Sequence, residues 1–263
     1  MIKLSLAKER EVVAASTRHG RRKSGKMIAE GIRSLETMFA QGVVPEFLIV
    51  SPSLLTSEGK RFLESSIPSG ISVFECEERR FRKLTDTAHS QGFLAILNSD
   101  FLNISENILK TARFGVYVDG INDPGNLGTI IRSAAAFGVD FIASSPDTSD
   151  FDNPKVVRAA AGLIFSLPLQ KTEDPETFFQ RLKSNNMEVI GSDANAEAKL
   201  ESVRFDGKVC LAIGSEAKGL SESVKENCRQ LFCINMRRSV ESLNAAIAGA
   251  IAMHHIALRL ELL

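Results

Sequence analysis

Five polar side chains stand at three places in the C-terminal half of this chain where an apolar, strand-like run gives way to a helix-like one. The first place is Asp123-Pro124-Gly125-Asn126-Leu127-Gly128-Thr129-Ile130-Ile131-Arg132. The second is Ile213-Gly214-Ser215-Glu216-Ala217-Lys218-Gly219-Leu220. The third is Ile234-Asn235-Met236, followed by Ser239-Val240-Glu241-Ser242-Leu243-Asn244-Ala245-Ala246. Open α/β sheets bind ligands at the carboxyl ends of their strands. Three turns rich in glycine, asparagine and serine at such ends predict one composite site.

Each residue has two readings at this level. The Asn126 amide holds backbone groups or a substrate hydroxyl, or it caps the helix that follows. Arg132 interrupts an apolar helix face, and a lone arginine there is either functional or a surface residue. Glu216 sits between Gly214 and Gly219, whose missing side chains let backbone approach a ligand closely. Its carboxylate either orients Arg132 or Asn244 or faces solvent. Ser242 and Asn244 flank Leu243 at the start of the last helix, and Ser242 suits its N-cap. Gly125 and Gly128 lack the spacing of a Gly-x-Gly-x-x-Gly fingerprint, which argues against a nicotinamide-binding site. His254 and His255 are adjacent, so they point about 100° apart on a helix and cannot share a metal. No metal site is expected.

The elements that must hold these residues alternate. From Phe114 onward, apolar runs at 114–118, 140–143, 187–190, 209–213 and 231–234 read as strands between helical stretches. Continuous apolar strands suit a parallel sheet covered on both faces, and the alternation predicts a mostly parallel α/β sheet. Pro175 marks a helix start, since its missing N–H is tolerated in the first turn. The last helix, read from Ser242 to Leu260, is rich in alanine, isoleucine and leucine. A helix apolar nearly all round is buried, either in its own core or against a second copy.

Before Phe114 the grain is finer. Short runs such as Phe47-Leu48-Ile49-Val50 and Gly92-Phe93-Leu94-Ala95-Ile96-Leu97 alternate with short helices and carry no catalytic constellation. The expected organisation is a small α/β domain over 1–105, a linker over 106–113 and a catalytic domain over 114–263.

The whole chain of 263 residues has a net charge of zero, yet residues 1–33 hold nine Lys/Arg against three acids. The densest part includes Arg18, Arg21, Arg22, Lys23 and Lys26. Gly20, Ser24 and Gly25 break it, so it reads as a mobile basic loop, either a solvated run or a phosphate-binding one. Arg79, Arg80, Arg82 and Lys83 form a second basic cluster.

With 44% hydrophobic residues the chain can bury a core and is not disordered. No 18-residue apolar run lacks a charge, so no membrane span is expected. The first apolar stretch carries charge, unlike a secretory signal. Cys76, Cys210, Cys228 and Cys233 make no Cys-x-x-Cys pair and read as reduced thiols of a cytoplasmic protein.

The three patches, in this order, resemble the signature motifs of the SpoU (TrmH-like) RNA ribose 2′-O-methyltransferases of the SPOUT superfamily. The first domain is similar, more loosely, to the substrate-binding domain that many of them carry. That likeness rests on Glu30-Gly31 and on Leu84-Thr85-Asp86-Thr87 through Gln91-Gly92. The resemblance implies a trefoil knot at the C-terminal end of the sheet, which periodicity does not show, and a homodimer packed through the knot. It implies S-adenosylmethionine as cofactor, held largely by backbone at Ile190, Gly191, Ser192, Ile213, Gly214, Gly219, Ile234, Met236 and Leu243. Asn126, Arg132, Glu216, Ser242 and Asn244 take the catalytic positions, and ribosomal RNA is the implied substrate. The alternatives are a tRNA enzyme of the same family and a non-catalytic RNA-binding factor. Arg158-Ala159-Ala160-Ala161-Gly162 departs from the family, which often has a serine there.

Overall fold

The computed structural model describes residues 2–87, 89–237 and 242–263. It forms two compact units, one of residues 1–101 and 152–166, the other of 102–151 and 167–263.

The first unit is built on β1 (Ile2–Lys3), α1 (Leu6–Ser16), α2 (Arg18–Ser24), β2 (Lys26–Glu30), α3 (Ile32–Ala40), β3 (Phe47–Val50), α4 (Ser57–Ser65), β4 (Ser72–Glu75), α5 (Glu78–Phe81) and β5 (Phe93–Asn98). Its five-stranded sheet runs β1-β4-β3-β5-β2. β5 is antiparallel to both of its neighbours, and the other pairings are parallel. Phe47, Phe81, Leu94 and Ile96 lie in its core.

The second unit starts with α6 (Glu106–Thr111), β6 (Phe114–Asp119), α7 (Pro124–Ala136) and β7 (Phe141–Ser144). The chain then leaves it to place α8 (Pro154–Ala159) beside β2 of the first unit. It resumes with β8 (Leu169–Lys171), α9 (Pro175–Ser184), β9 (Glu188–Ser192), β10 (Val209–Gly214), α10 (Glu222–Asn227), β11 (Gln230–Phe232) and α11 (Ala245–Arg259). All six strands are parallel, in the order β11-β9-β10-β6-β7-β8. β6 and β10 lie at the centre, and Val209 to Ile213 are all buried, as a strand covered on both faces requires. Tyr117, Phe178 and Phe179 pack on one face. Each such ring contributes about 1.5–3 kcal/mol by burial.

Three sequence expectations change here. The stretch 106–113 carries a helix, and Leu109 is fully buried in the second unit's core. Residues 152–166, expected inside the catalytic domain, belong to the first unit. There Gly162, at φ +84°, lies so close to α3 that a side chain would meet the Ser34 backbone at 2.8 Å.

The basic run is the third change. It is a helix, not a loop. The Thr17 side chain accepts from Gly20 N at 3.1 Å at its start, and Gly25 at φ +66° ends it in the left-handed conformation that favours glycine. Within it Arg21 is 5% exposed and pairs with Asp152 at 2.9 Å. Lys26 just beyond it pairs with Glu11 at 2.9 Å and Glu46 at 2.6 Å. These two cations are used inside the unit. Arg18, Arg22 and Lys23 are exposed.

The resemblance places a knot at the C-terminal end of this sheet, and residues 238–241, between β11 and α11, lie outside the described residues. No helix among the described residues is long and apolar enough to cross a membrane.

Candidate active site

Two helix starts and one tight turn build the centre of the site. At the first, the Asp123 side chain caps α7 by accepting from Asn126 N at 2.8 Å, and Pro124 fills the first helical position. Of the two readings of Asn126 the cap falls to Asp123, and the Asn126 amide is left for other contacts. At the second, Asn244, not Ser242, caps α11. Its Oδ1 accepts from Ala246 N at 3.0 Å and Ile247 N at 3.2 Å. Those two donors fix which end of the amide is oxygen and leave its Nδ2 facing outward.

Glu216 lies between them. The turn that carries it is closed by the reciprocal backbone bonds of Ser215 and Gly219 at 3.1 and 2.8 Å. Gly214 has no room for a side chain, since a Cβ there would lie 2.2 Å from the Gly219 carbonyl carbon. From this turn one oxygen, Glu216 Oε1, accepts from Asn244 Nδ2 at 2.6 Å, Asn126 Nδ2 at 3.2 Å and Ala245 N at 3.1 Å. Asn244 Nδ2 also donates to Asn126 Oδ1 at 2.9 Å. One residue from each sequence patch thus meets in a single hydrogen-bonded cluster. Its bonds to a charged oxygen are of the stronger kind.

A cavity of about 310 Å³ opens beside the cluster. Of the residues expected to hold a cofactor, Ser192, Ile213, Gly214, Gly219, Ile234, Met236 and Leu243 line it, together with Glu216 and Ser242. Ile190 and Gly191 do not. They sit two and one residues before Ser192 along β9, where Ile190 is fully buried and Gly191 packs against Leu220, Leu231 and Cys228. Apolar side chains and turn backbone form part of the wall, which suits a flat heterocycle with a few polar edges, and charged side chains form the rest.

The sequence reading assigned no site role to six polar or thiol-bearing wall residues, Asp193, Asn195, Ser215, Lys218, Lys225 and Cys233. Asp193 directly follows Ser192 at the end of β9 and was legible from that position alone. Backbone donation from Asn195, then Lys225, holds its carboxyl below the usual carboxylate range. Among the described residues no cluster of His, Cys, Asp or Glu could hold a metal.

Arg132 is not brought to the cluster. It lies six residues past Asn126 on α7, about 240° around the helix and about 9 Å along it. Its side chain is exposed and bonds to no other described residue.

The last helix is buried on one face only. One face, with Ala246, Gly249, Ala252, Met253 and Ile256, is buried. Ile247, Ile251 and Leu258 on another face remain 52%, 41% and 52% exposed. His254 lies between them, its ring 5.3 Å from Phe137.

Comparison with known proteins agrees with this geometry. Residues 113–254 match the SpoU rRNA Methylase family, and residues 8–95 match the MRM3-like substrate binding domain. The chain is 28% identical over 241 residues to the 23S rRNA (guanosine(2553)-2′-O)-methyltransferase RlmP of Bacillus subtilis, covering 91% of this chain and 92% of that one. It is 29% identical over 196 residues to the 23S rRNA (guanosine-2′-O-)-methyltransferase RlmB of Ralstonia nicotianae, covering 73% and 79%. The crystal structure of the SpoU methyltransferase AviRb from Streptomyces viridochromogenes with its cofactor AdoMet superposes with a TM-score of 0.84 at 23% identity, over 97% of this chain and 99% of that one. That likeness gives the fold, with a knotted parallel sheet in one unit and a smaller mixed sheet in the other. The three patches that meet at Glu216 all lie within the matched catalytic region, and the chain belongs to the SpoU rRNA methylase family.

Proposed function

We propose that this protein transfers a methyl group from S-adenosylmethionine to a ribose 2′-hydroxyl of ribosomal RNA, and that it works as a homodimer. The observation that carries the reading is the Asn126–Glu216–Asn244 cluster at the wall of a cavity formed by strand ends. The named activities of the Bacillus and Ralstonia relatives support ribosomal RNA over tRNA. The four cysteines are free thiols, in keeping with a cytoplasmic protein.

In this reading the residues that line the cavity hold the donor, with Ile213, Ile234, Met236 and Leu243 around its adenine. The bound donor supplies an electrophilic methyl on a sulfonium. The chain's own task is to place the hydroxyl in line with it, and positioning alone lowers such barriers by several kcal/mol. Asn126 offers its remaining amide N–H to the ribose, while Glu216 and the fully bonded Asn244 fix its orientation. A guanidinium keeps its proton at neutral pH. We therefore assign Arg132 to the phosphate beside the hydroxyl and to the negative charge that develops as the oxygen attacks.

The test is methyl transfer to ribosomal RNA purified from cells lacking the gene. Label from the tritiated donor should enter at one 2′-oxygen, making the adjacent linkage resistant to alkali. Absence of label on ribosomal RNA under conditions where the donor binds would reject the substrate assignment.

Two further results are expected. The stripe Ile247, Ile251 and Leu258 is the surface we assign to the second copy, because three large apolar side chains along one face otherwise stay in water. Ile251→Glu should convert dimer to monomer in sedimentation, and an unchanged dimer would remove the stripe from the interface. Arg22 and Lys23 are the exposed cations we assign to RNA phosphate. Changing both to alanine should flatten the slope of log affinity against log salt by about 1.5 units. Arg21→Ala, by contrast, should lower the melting temperature through loss of the Asp152 pair. A salt slope unmoved by the double change would make α2 a solvated helix.

A further inference from the structure

The cavity beside Glu216 has two chemically different walls. Ile213, Leu243, Ala245 and Ala248 contribute an apolar one. Asp193 and Lys225 contribute a charged one, with Lys225 Nζ 3.1 Å from Asp193 Oδ2. The pair is partly enclosed, its side chains 14% and 27% exposed.

Its two members are held differently. Asp193 is fixed. Its Oδ1 accepts from Asn195 N at 2.8 Å, and its own N–H donates to Phe232 O at 2.8 Å. Lys225 sits on the short helix α10 and divides its charge between Asp193 and Glu222, the latter at 3.4 Å and on a side chain 85% exposed. The wall thus presents a rigid anion beside a cation whose second partner is weakly held and solvated. The other charged groups of the wall do not offer such a pair. Glu216 Oε1 already takes three donors, and Lys218 is exposed on its turn.

The donor named under Proposed function, on which this inference rests, is equally two-sided. It joins a flat, neutral base to an amino-acid end that carries an ammonium and a carboxylate. Burying either charge without a partner is costly. We infer that Asp193 and Lys225 form the subsite for that amino-acid end, Asp193 taking the ammonium and Lys225 turning from Glu222 to take the carboxylate. The nucleoside end then lies against the apolar wall.

Three ligands separate this role from a structural one. S-adenosylhomocysteine carries both charges, decarboxylated S-adenosylmethionine keeps only the ammonium, and 5′-methylthioadenosine has neither. Calorimetry on the full chain should show Asp193→Asn weakening the first two about tenfold, the size of one lost charge-assisted bond. Asparagine keeps an oxygen for Asn195 N, so the turn survives. Lys225→Met should weaken only S-adenosylhomocysteine, again about tenfold. Binding of 5′-methylthioadenosine should stay within about twofold in both variants, which also reports an intact cavity. Equal weakening of all three ligands would overturn the inference and leave the pair a clamp between α10 and the 193–196 turn. Unchanged binding of S-adenosylhomocysteine would overturn it as well. Wild-type protein that binds none of the three would reject the cofactor reading itself, and this subsite with it.

Discussion

Glu216→Ala is expected to lower the turnover number by about a hundredfold, the cost of displacing reacting groups by about an ångström, with little change in the amount of folded protein. The reason is the convergence on one oxygen. Glu216 Oε1 accepts from Asn244 Nδ2, Asn126 Nδ2 and Ala245 N. Without it the two amides keep only the 2.9 Å bond between themselves, and they can rotate together. Ala245 N is one of the orphan donors of the α11 start, and its loss should cost about 1 kcal/mol, as lost helix caps do. Asn244 Oδ1 still caps Ala246 and Ile247, so α11 stays formed. Glu216→Gln sharpens the test. Its amide oxygen can still accept while the charge is gone, so it should retain more of the rate than alanine does. Turnover of Glu216→Ala above about a third of wild type would show that the cluster is only a structural tie between α7 and α11, since displaced reacting groups cost far more.

The sheet of the second unit was legible because its signal is local. Val116 to Val118 and Val209 to Ile213 are apolar without interruption, and the structure buries all of them. Pro175 does open a helix, with Asp174 accepting from Glu176 N at 3.1 Å. That three patches would converge was also readable, since each ends a strand of one parallel sheet.

What failed was set by partners remote in sequence. Nothing near Arg21 says that it will be buried, because its counter-charge is Asp152, 131 residues later. The run was broken by glycine and serine and looked like a loop. Gly20, however, sits where a Cβ would lie 2.0 Å from Ala14 O, so that glycine permits close packing of α1 on α2 instead of loosening the chain. Cap identity failed for a related reason. Asp123 and Asn126, like Ser242 and Asn244, are both capping types a few residues apart, and which one caps depends on where Glu216 draws the amides. Ile190 and Gly191 were carried into the donor site by resemblance. In the structure the end of β9 lines the cavity, and these two positions sit behind it in the sheet's own packing.

Arg132→Ala is expected to abolish detectable methyl transfer while S-adenosylhomocysteine binds as before. Arg132 stands on the solvent face of α7 and its side chain bonds to no other described residue, so its removal should leave stability within about 0.5 kcal/mol, the usual range for surface substitutions. Arg132→Lys keeps the charge but loses the planar fork that grips a phosphate with two bonds, and should recover only a small part of the rate. Its place on α7 adds a second expectation. Within one chain Arg132 is turned about 240° from Asn126, yet α7 packs on α11, the helix whose apolar stripe we assign to the second copy. We propose that in such a dimer the guanidinium serves the partner's cluster. A refolded equal mixture of Arg132→Ala and Glu216→Ala chains should then regain about a quarter of wild-type activity, because half of a randomly assorted set of two-fold dimers is mixed and one of the two sites in each is intact. A mixture as inactive as its parents would place Arg132 in the site of its own chain. An Arg132→Ala protein that keeps most of its rate would remove the arginine from catalysis altogether and leave the developing charge to the amide of Asn126.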